Sequence, residues 1–208
     1  MRWYPALPPD WHNAIEHSQR LAKNPKCVRF HGRNNLLLLQ PRPFLLGGVL
    51  FEIQDNGGES FALAIEHVGS TAVPGLPSKP IIDLLIGVPR LEEAKDRCIE
   101  RIEALGYIYV PAYASWLPGE LFFRKGPPGP WTHHVHLMEP SHPRWEALLV
   151  FRDYLRAHPE AARAYASLKR ALASSSKDDI EAYRTGKNVF VEETTAKARA
   201  WRADAGDQ

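Results

Sequence analysis

One segment, residues 61–88, restricts what this chain can fold into more than any other part of its sequence. An apolar stretch ending at Val68 runs directly into Gly69 and Ser70, a proline-rich loop follows, and a second apolar stretch carries one acid, Asp83. Glycine permits the tight turn that presents backbone N–H groups to a phosphate. A carboxylate within a buried strand is costly unless it is paired or binds a cation. The segment therefore predicts two strands whose ends form a site for a metal-bound, phosphorylated ligand.

The composition of the chain argues against several classes of function. With 208 residues, the chain is long enough for one domain with a real core, and we interpret residues 1–208 as a single domain. A formal net charge of +2 gives no drive toward nucleic acid or a membrane surface, and the apolar runs are too short to span a bilayer. Cys27 and Cys98 are isolated, which favours a reduced compartment. We expect a soluble, cytoplasmic protein with a small-molecule substrate.

The order of the predicted elements indicates an α+β fold in which a mixed sheet is followed by a helical C-terminal layer. Strands are predicted at residues 61–68, 81–88, 107–110, 121–125 and 133–138, with a helix at residues 91–105. Residues 141–203 carry apolar side chains at helical spacing and predict three further helices. The C-terminal third of the chain is therefore expected to pack as helices against the sheet.

The opening segment resembles the GrpB family, also called the UPF0157 group, and the similarity continues through later motifs. These are FFRKG at 122–126, THHVHL at 132–137, FRDYLRAHP at 151–159, YASLK at 165–169 and YRTGK at 183–187. The resemblance implies the nucleotidyltransferase fold, in which a Gly-Ser that ends one strand is followed by an acidic motif on the next. The resemblance is a better guide to the fold than to the reaction, because proteins with one fold can catalyse many different reactions.

The resemblance also predicts how the N-terminal part is organised. The family begins with a tryptophan-containing element and a helix that lead quickly to the Gly-Ser strand, whereas here Trp11 lies far before His67. We therefore interpret residues 24–58 as an insertion, with a pattern consistent with a hairpin. A helix is expected at residues 11–21, with Asp10 as its N-cap.

Four side chains are candidate metal ligands: Asp83, His67, His134 and His136. Alternate residues of a strand point to one side, so His134 and His136 should aim two imidazoles at one point. Imidazoles favour manganese or zinc and a phosphorylated ligand favours magnesium, so the metal is left open. The alternatives are an Asp83 paired with a basic side chain and histidines bonded only to backbone or water. The wider superfamily has a second acid where this chain has Leu85, which argues against a complete two-metal site.

Seven residues are candidates for holding phosphate or for neutralising the charge that develops on it. They are Gly69, Ser70 and Thr71 in the turn, Lys79 and Arg124 on or beside the strands, and Arg152 and Lys187 on the predicted helices. Arg152 and Lys187 lie on apolar helix stripes, where a cation either reaches out to the edge or points into a cleft. Lys79 and Arg124 are expected to act with Asp83 in catalysis. An exposed loop lysine and an Arg124–Asp83 ion pair are the structural alternatives.

These expectations combine into a leading function with two rivals. The leading hypothesis is a metal-dependent transferase of the nucleotidyltransferase superfamily that acts on a nucleoside triphosphate and a small acceptor, with a nucleotide-dependent ligase as a variant. The first rival is a non-catalytic nucleotide-binding or accessory module, which Leu85 favours. The second is a metal-dependent hydrolase built on the histidine pair. The sequence leaves open whether the chain is an enzyme.

Overall fold

The computed structural model describes residues 61–126, 131–175 and 180–206, which form a mixed sheet with helices on both faces. The strands are β1 (Ala64–Val68), β2 (Ile82–Gly87), β3 (Ile108–Tyr109), β4 (Leu121–Lys125) and β5 (His133–Met138). The helices are α1 (Leu91–Ala104), α2 (Pro143–Ala157), α3 (Pro159–Ser175) and α4 (Ile180–Gly206). The predicted α+β class with a helical C-terminal layer is confirmed. The helix expected at 11–21 and the insertion at 24–58 lie outside the described residues.

The strands are arranged in the order β1-β2-β5-β4-β3. Strands β2 and β5 run parallel, and every other neighbouring pair is antiparallel. The predicted limits of β4 and β5 match the structure, whereas β3 is limited to two residues because a short 3-10 turn, Pro111–Ser115, follows it closely. The parallel pair at the centre brings the Asp83 strand and the histidine strand together.

Strand alternation gives the sheet two different faces. One face packs an apolar layer that includes Ile86, Phe123 and Leu137 against Cys98 and Ile102 of α1. The other face, called the site face below, carries the polar residues of the sequence motifs. Part of it is apolar and covered by α2, through Trp145, Leu148 and Leu149 on Val68, Leu85 and Met138. The remaining part of the site face is where the motif residues meet.

Helices α3 and α4 cover the loop that follows β1. Val73 and Leu76 of that loop pack against Tyr165 of α3, whose ring stacks on Phe190 of α4 at 5.1 Å between ring centres. Gly186 allows the two helices to approach closely, because a β-carbon there would overlap the side chain of Leu172. This close approach sets the position of the α4 residues that follow. In the described part of the chain, no helix is both long and apolar enough to cross a membrane.

Candidate functional site

The site is built on the turn that follows β1. Gly69 has φ 73°, and Ser70–Ala72 form one short 3-10 turn. A β-carbon on Gly69 would overlap the Oδ2 atom of Asp83, so the backbone of the turn lies directly against that carboxylate. The predicted adjacency of the Gly-Ser turn and the acid is confirmed. Glycine is required here both by the positive φ and by this close approach.

Asp83 pairs with His134 rather than with an arginine or a lysine. The two residues are neighbours in the parallel pair β2–β5, and Nδ1 of His134 lies 3.0 Å from Oδ1 of Asp83. Both side chains are partly accessible, with relative exposures of 24% for His134 and 26% for Asp83. The alternatives in which Asp83 pairs with an arginine or lysine, including Arg124, are therefore wrong within the described residues. The Asp83 carboxylate and the His134 imidazole therefore lie side by side on the site face, and both are partly exposed to solvent.

His136 lies on the same face but binds a different carboxylate. Its Nδ1 is 3.2 Å from Oε1 of Glu120, which is fully buried and also accepts a hydrogen bond from Arg144 Nε at 3.1 Å. Burial raises the pKa of Glu120, but the hydrogen bonds and charges of His136 and Arg144 outweigh burial and lower that pKa. His136 therefore belongs to a structural network beside the site. The expectation that it joins His134 at one point is corrected.

His67 is hydrogen-bonded to Thr71 and not to Asp83. It pairs with Leu84 in the β1–β2 register, and its Nε2 lies 3.0 Å from the Thr71 hydroxyl, which donates to the Ile81 carbonyl at 2.9 Å. Burial lowers the pKa of His67 to about 4, so its imidazole is neutral at pH 7. Thr71 thus ties the turn to the start of β2. Across the described residues, no group of three or more His, Cys, Asp or Glu side chains is placed to hold a metal ion.

Arg152 joins α2 to β1 instead of pointing freely into the cleft. Its Nη1 donates to Glu66 Oε2 at 2.7 Å and to the His67 carbonyl at 3.0 Å, and its Nε donates to Asp153 Oδ1 at 2.7 Å. The residue is only 8% exposed. A guanidinium with these partners is a structural cation, so the expectation that it points into the cleft is corrected.

The Arg152 contacts predict a loss of stability in Arg152→Met. We expect the free energy of unfolding to fall by about 2 kcal/mol, because charged hydrogen bonds at a buried position are removed while Glu66 and Asp153 regain water. The matched control is Arg199→Met, whose pair with Glu146 is exposed and should contribute less than about 1 kcal/mol. Urea denaturation of the two variants measures the difference. Equal stabilities would show that the Arg152 contacts contribute no more than a surface pair.

A buried lysine from α3 reaches the turn. Nζ of Lys169 donates to Ser70 Oγ at 3.0 Å and to the Pro77 carbonyl at 2.6 Å, and the residue is 7% exposed. The Tyr165 hydroxyl is also hydrogen-bonded to Ser70. Burial, with the nearby charges of Lys187 and Arg170, lowers the pKa of Lys169 to about 7. The Ser70 hydroxyl is therefore contacted by both Lys169 and Tyr165, which places the lysine directly at the turn.

Two further lysines surround the same position. The Nζ atoms of Lys187 and Lys79 lie 5.0 Å and 6.0 Å from the centre of the Tyr183 ring. Burial and the charge of Arg184 lower the pKa of Lys187, whereas Asp83 acts in the opposite direction. Burial and the charge of Lys187 lower the pKa of Lys79. The three lysine side chains therefore form a cluster in which the charge of Lys187 lowers the pKa of Lys169 and of Lys79, and Asp83 lies close enough to raise the pKa of Lys187.

The family model described as GrpB protein matches residues 50–197, which is most of the chain. This chain belongs to the GrpB family. The match includes β1, the Gly69–Ser70 turn, the Asp83–His134 pair and the helices that carry the lysines. The described site is therefore a site of the GrpB domain itself.

Several GrpB relatives resemble the chain over about two thirds of its length. It is 42% identical over 140 residues to UPF0157 protein YqkA of Bacillus subtilis, covering 67% of this chain and 40% of that protein. It is 44% identical over 142 residues to UPF0157 protein PA4798 of Pseudomonas aeruginosa, covering 66% of this chain and 56% of that protein. The chain thus spans about half the length of these curated relatives. A crystal structure of conserved protein GrpB from Enterococcus faecalis matches with a TM-score of 0.62 and 30% identity, over 95% of this chain and 98% of that one.

Lys169 is not among the phosphate-binding residues predicted from the sequence, and neither Tyr165 nor Tyr183 was predicted to contact a lysine. A signal was nevertheless present, because Tyr165–Lys169 and Tyr183–Lys187 repeat the same Tyr-x-x-x-Lys spacing on two different helices. Residues four apart on a helix are neighbours, so each tyrosine can shield its lysine. In the structure, Lys169 Nζ lies 4.7 Å from the Tyr165 ring centre, and Lys187 makes the corresponding contact with Tyr183.

Proposed function

We propose that this GrpB protein is a metal-dependent enzyme of the nucleotidyltransferase superfamily, which binds a nucleoside triphosphate at the Gly69–Ser70 turn. The observation that carries the proposal is the direct contact of buried Lys169 with Ser70, with Lys187 close by. Neither lysine has a carboxylate within ion-pair distance in the part of the chain that the structure describes. Positive charge collected beside a glycine turn favours a polyanion such as a triphosphate.

The proposed roles follow from these positions. The Ser70 hydroxyl and the backbone N–H groups of the turn would hold a phosphate. Lys79, Lys169 and Lys187 would neutralise the charge that develops when a phosphorus–oxygen bond breaks, as preorganised cations do in phosphoryl transfer. Because the tyrosines shield the lysines from water, each charge acts more strongly on the ligand than an exposed lysine would.

The donor set fits one magnesium ion better than a two-metal centre. Magnesium in nucleotide enzymes is commonly bound by one or two carboxylates together with the substrate phosphates. Asp83 supplies one carboxylate, and the hydrogen bond from His134 would orient it. Leu85, the counterpart of the second superfamily acid, is fully buried and packs beside Trp145, so that position does not open onto the site. A bound magnesium ion would neutralise part of the negative charge of the phosphates.

The same buried Leu85 supports a second candidate, a GrpB domain that binds nucleotide without catalysing transfer. The two candidates share the nucleotide site and differ only in turnover. Release of pyrophosphate or of inorganic phosphate in the presence of small acceptors supports the enzyme. Tight nucleotide binding with no release under any acceptor supports the binding module. In either case we expect the protein to act in the cytoplasm, where nucleotide and magnesium are both available.

Calorimetry tests nucleotide binding directly. We expect ATP or GTP to bind in the presence of magnesium and to take up protons at pH 8, because a triphosphate would raise the pKa of Lys169, which is about 7 in the free protein. Titrations in two buffers with different ionisation enthalpies measure this uptake. Nucleotide binding without proton uptake, or no binding with any nucleotide, would remove the lysine cluster from the proposed site.

Lys187→Met should weaken nucleotide binding by about tenfold, which is roughly 1.4 kcal/mol and close to one charged hydrogen bond. Its stability should not fall, because the variant removes a crowded buried charge. Lys197→Met is the matched control, since Lys197 is exposed on the same helix. Equal affinities of the two variants for ATP would contradict the role given to Lys187.

A further inference from the structure

A row of side chains crosses the site face at one level of the sheet. Val68 pairs with Asp83, Asp83 lies beside His134, and His134 pairs with Arg124. Neighbouring strands are about 4.8 Å apart, so Arg124 lies roughly 14 Å from the strand end that carries the turn. The lysine cluster lies at the end of this row that is next to the turn. Arg124 lies at the other end, far enough from the turn for a separate ligand.

Arg124 has the properties of an anion-binding side chain. Its Cζ atom lies 4.1 Å from the centre of the Trp131 ring, and its Nε is buried without a hydrogen-bond partner among the described residues. Those residues also place no carboxylate within ion-pair distance of it. An arginine stacked on an aromatic ring keeps the edge of its guanidinium free for a bidentate carboxylate.

The surroundings of Arg124 add flat apolar surface and a second cation. Tyr113 stacks on Phe122 at 4.0 Å between ring centres, and Phe122 lies 5.1 Å from the His134 ring. Trp116, which is 53% exposed, follows Tyr113 by three residues. The Arg184 Cζ of α4 lies 5.2 Å from the Trp116 ring centre. Aromatic rings therefore border this end of the row, and Trp116 with Arg184 extends the surface that begins at Tyr113.

We infer that the Arg124 end of the row binds the acceptor, and that the acceptor is a small carboxylate that carries an aromatic or other flat apolar group. The inference rests on the proposed function and names its second substrate. A carboxylate is already ionised at pH 7 and needs no catalytic base, which suits a site whose imidazole is engaged by Asp83. In the transfer, a carboxylate oxygen forms a bond to the α-phosphorus of the nucleotide. The bond from that phosphorus to the bridging oxygen breaks, and its electron pair leaves with pyrophosphate.

Ligand-observed NMR with benzoate and phenylacetate tests the subsite, with benzamide and phenylacetamide as uncharged partners of the same shape. We expect the carboxylates to bind at least tenfold more tightly than the amides. Arg124→Gln should weaken carboxylate binding at least tenfold and change ATP affinity less than twofold. Arg97→Gln is the matched control, because Arg97 also stacks on an aromatic ring, Phe61, but lies on α1 beyond the opposite face of the sheet. It should alter neither ligand.

The outcomes separate this inference from the proposed function. Carboxylate binding that depends on Arg124, with no binding of ATP, would support the anion subsite and contradict the nucleotide site. ATP binding with equal affinities for carboxylates and amides would overturn the acceptor assignment alone. Carboxylate binding that survives in Arg124→Gln would also overturn it. No binding of either carboxylate in the presence of magnesium and ATP would overturn it as well.

Discussion

Replacing Gly69 with alanine is expected to lower the free energy of unfolding by about 2–6 kcal/mol and to abolish nucleotide binding. Two costs add. With φ 73° and ψ −173°, Gly69 has a backbone conformation that is essentially restricted to glycine, so an alanine there is strained by about 1–3 kcal/mol. Its β-carbon would also overlap the Asp83 carboxylate, forcing a shift that typically costs about 1–3 kcal/mol. Relief of the overlap must move either the turn or Asp83, and both are parts of the proposed site. Urea denaturation and ATP titration measure the two losses.

Gly75→Ala separates the two costs. Gly75 lies in the same loop with φ 76°, but a β-carbon there would meet no atom within 4 Å. It should therefore lose only about 1 kcal/mol and keep nucleotide binding. The overlap can be tested further in an Asp83→Ala background, where the cost of Gly69→Ala should shrink because the overlapping carboxylate is gone. An unchanged cost in that background would place the strain somewhere other than against Asp83.

Replacing Lys169 with methionine is expected to weaken nucleotide binding by about a hundredfold and to remove a pH dependence of stability. The affinity loss corresponds to roughly 2.7 kcal/mol, near the upper range for a charged hydrogen bond, because the Lys169 ammonium lies at the turn and is 7% exposed. Methionine keeps most of the length and the apolar contact with Tyr165. The loss should therefore reflect the charge rather than the packing.

The sign of the pH dependence follows from the lowered pKa of Lys169, which is about 7 in the folded protein and 10.5 ordinarily. Below pH 7, both the folded and the unfolded chain carry the proton, so the cost of burying the charge is fully present. Between pH 7 and 10.5, the unfolded chain binds a proton that the folded chain has lost. Stability should therefore rise with pH across this window, by up to about 1.4 kcal/mol per pH unit from this one group.

Urea denaturation at several values between pH 7 and 9 compares the wild type with Lys169→Met. The slope of stability against pH should be smaller in the variant, and the difference between the two slopes isolates Lys169 from the other lysines. Lys95→Met, an exposed position on α1, is the control and should keep the wild-type slope. Parallel curves for wild type and Lys169→Met would show that the lysine is charged in the folded state throughout this range.

The local sequence was enough to predict the turn at Gly69 and Ser70 and the strand that carries Asp83. The apolar runs on either side of Gly69 and Ser70 predict two strands because their patterns are short and end at turn residues. Strand alternation also placed His134 and His136 on one face of their strand, since side-chain direction along a strand has a period of two. These are properties of neighbouring residues in the chain, so one sequence is enough to predict them, whereas the neighbour relation of His134 and Asp83 depends on the β2–β5 pairing.

Only the tertiary structure decided which partners those side chains have. His136 shares the face of His134 but binds Glu120, because β4 brings a buried carboxylate opposite it. Arg152 binds Glu66 across eighty-six positions of sequence, whereas Lys169 reaches Ser70 across ninety-nine. Helical spacing gives the face on which a cation lies but not the element opposite that face. That choice depends on helix rotation and on the distance between α3 and α4, which Gly186 permits, and so the lysine cluster exists only in the folded chain.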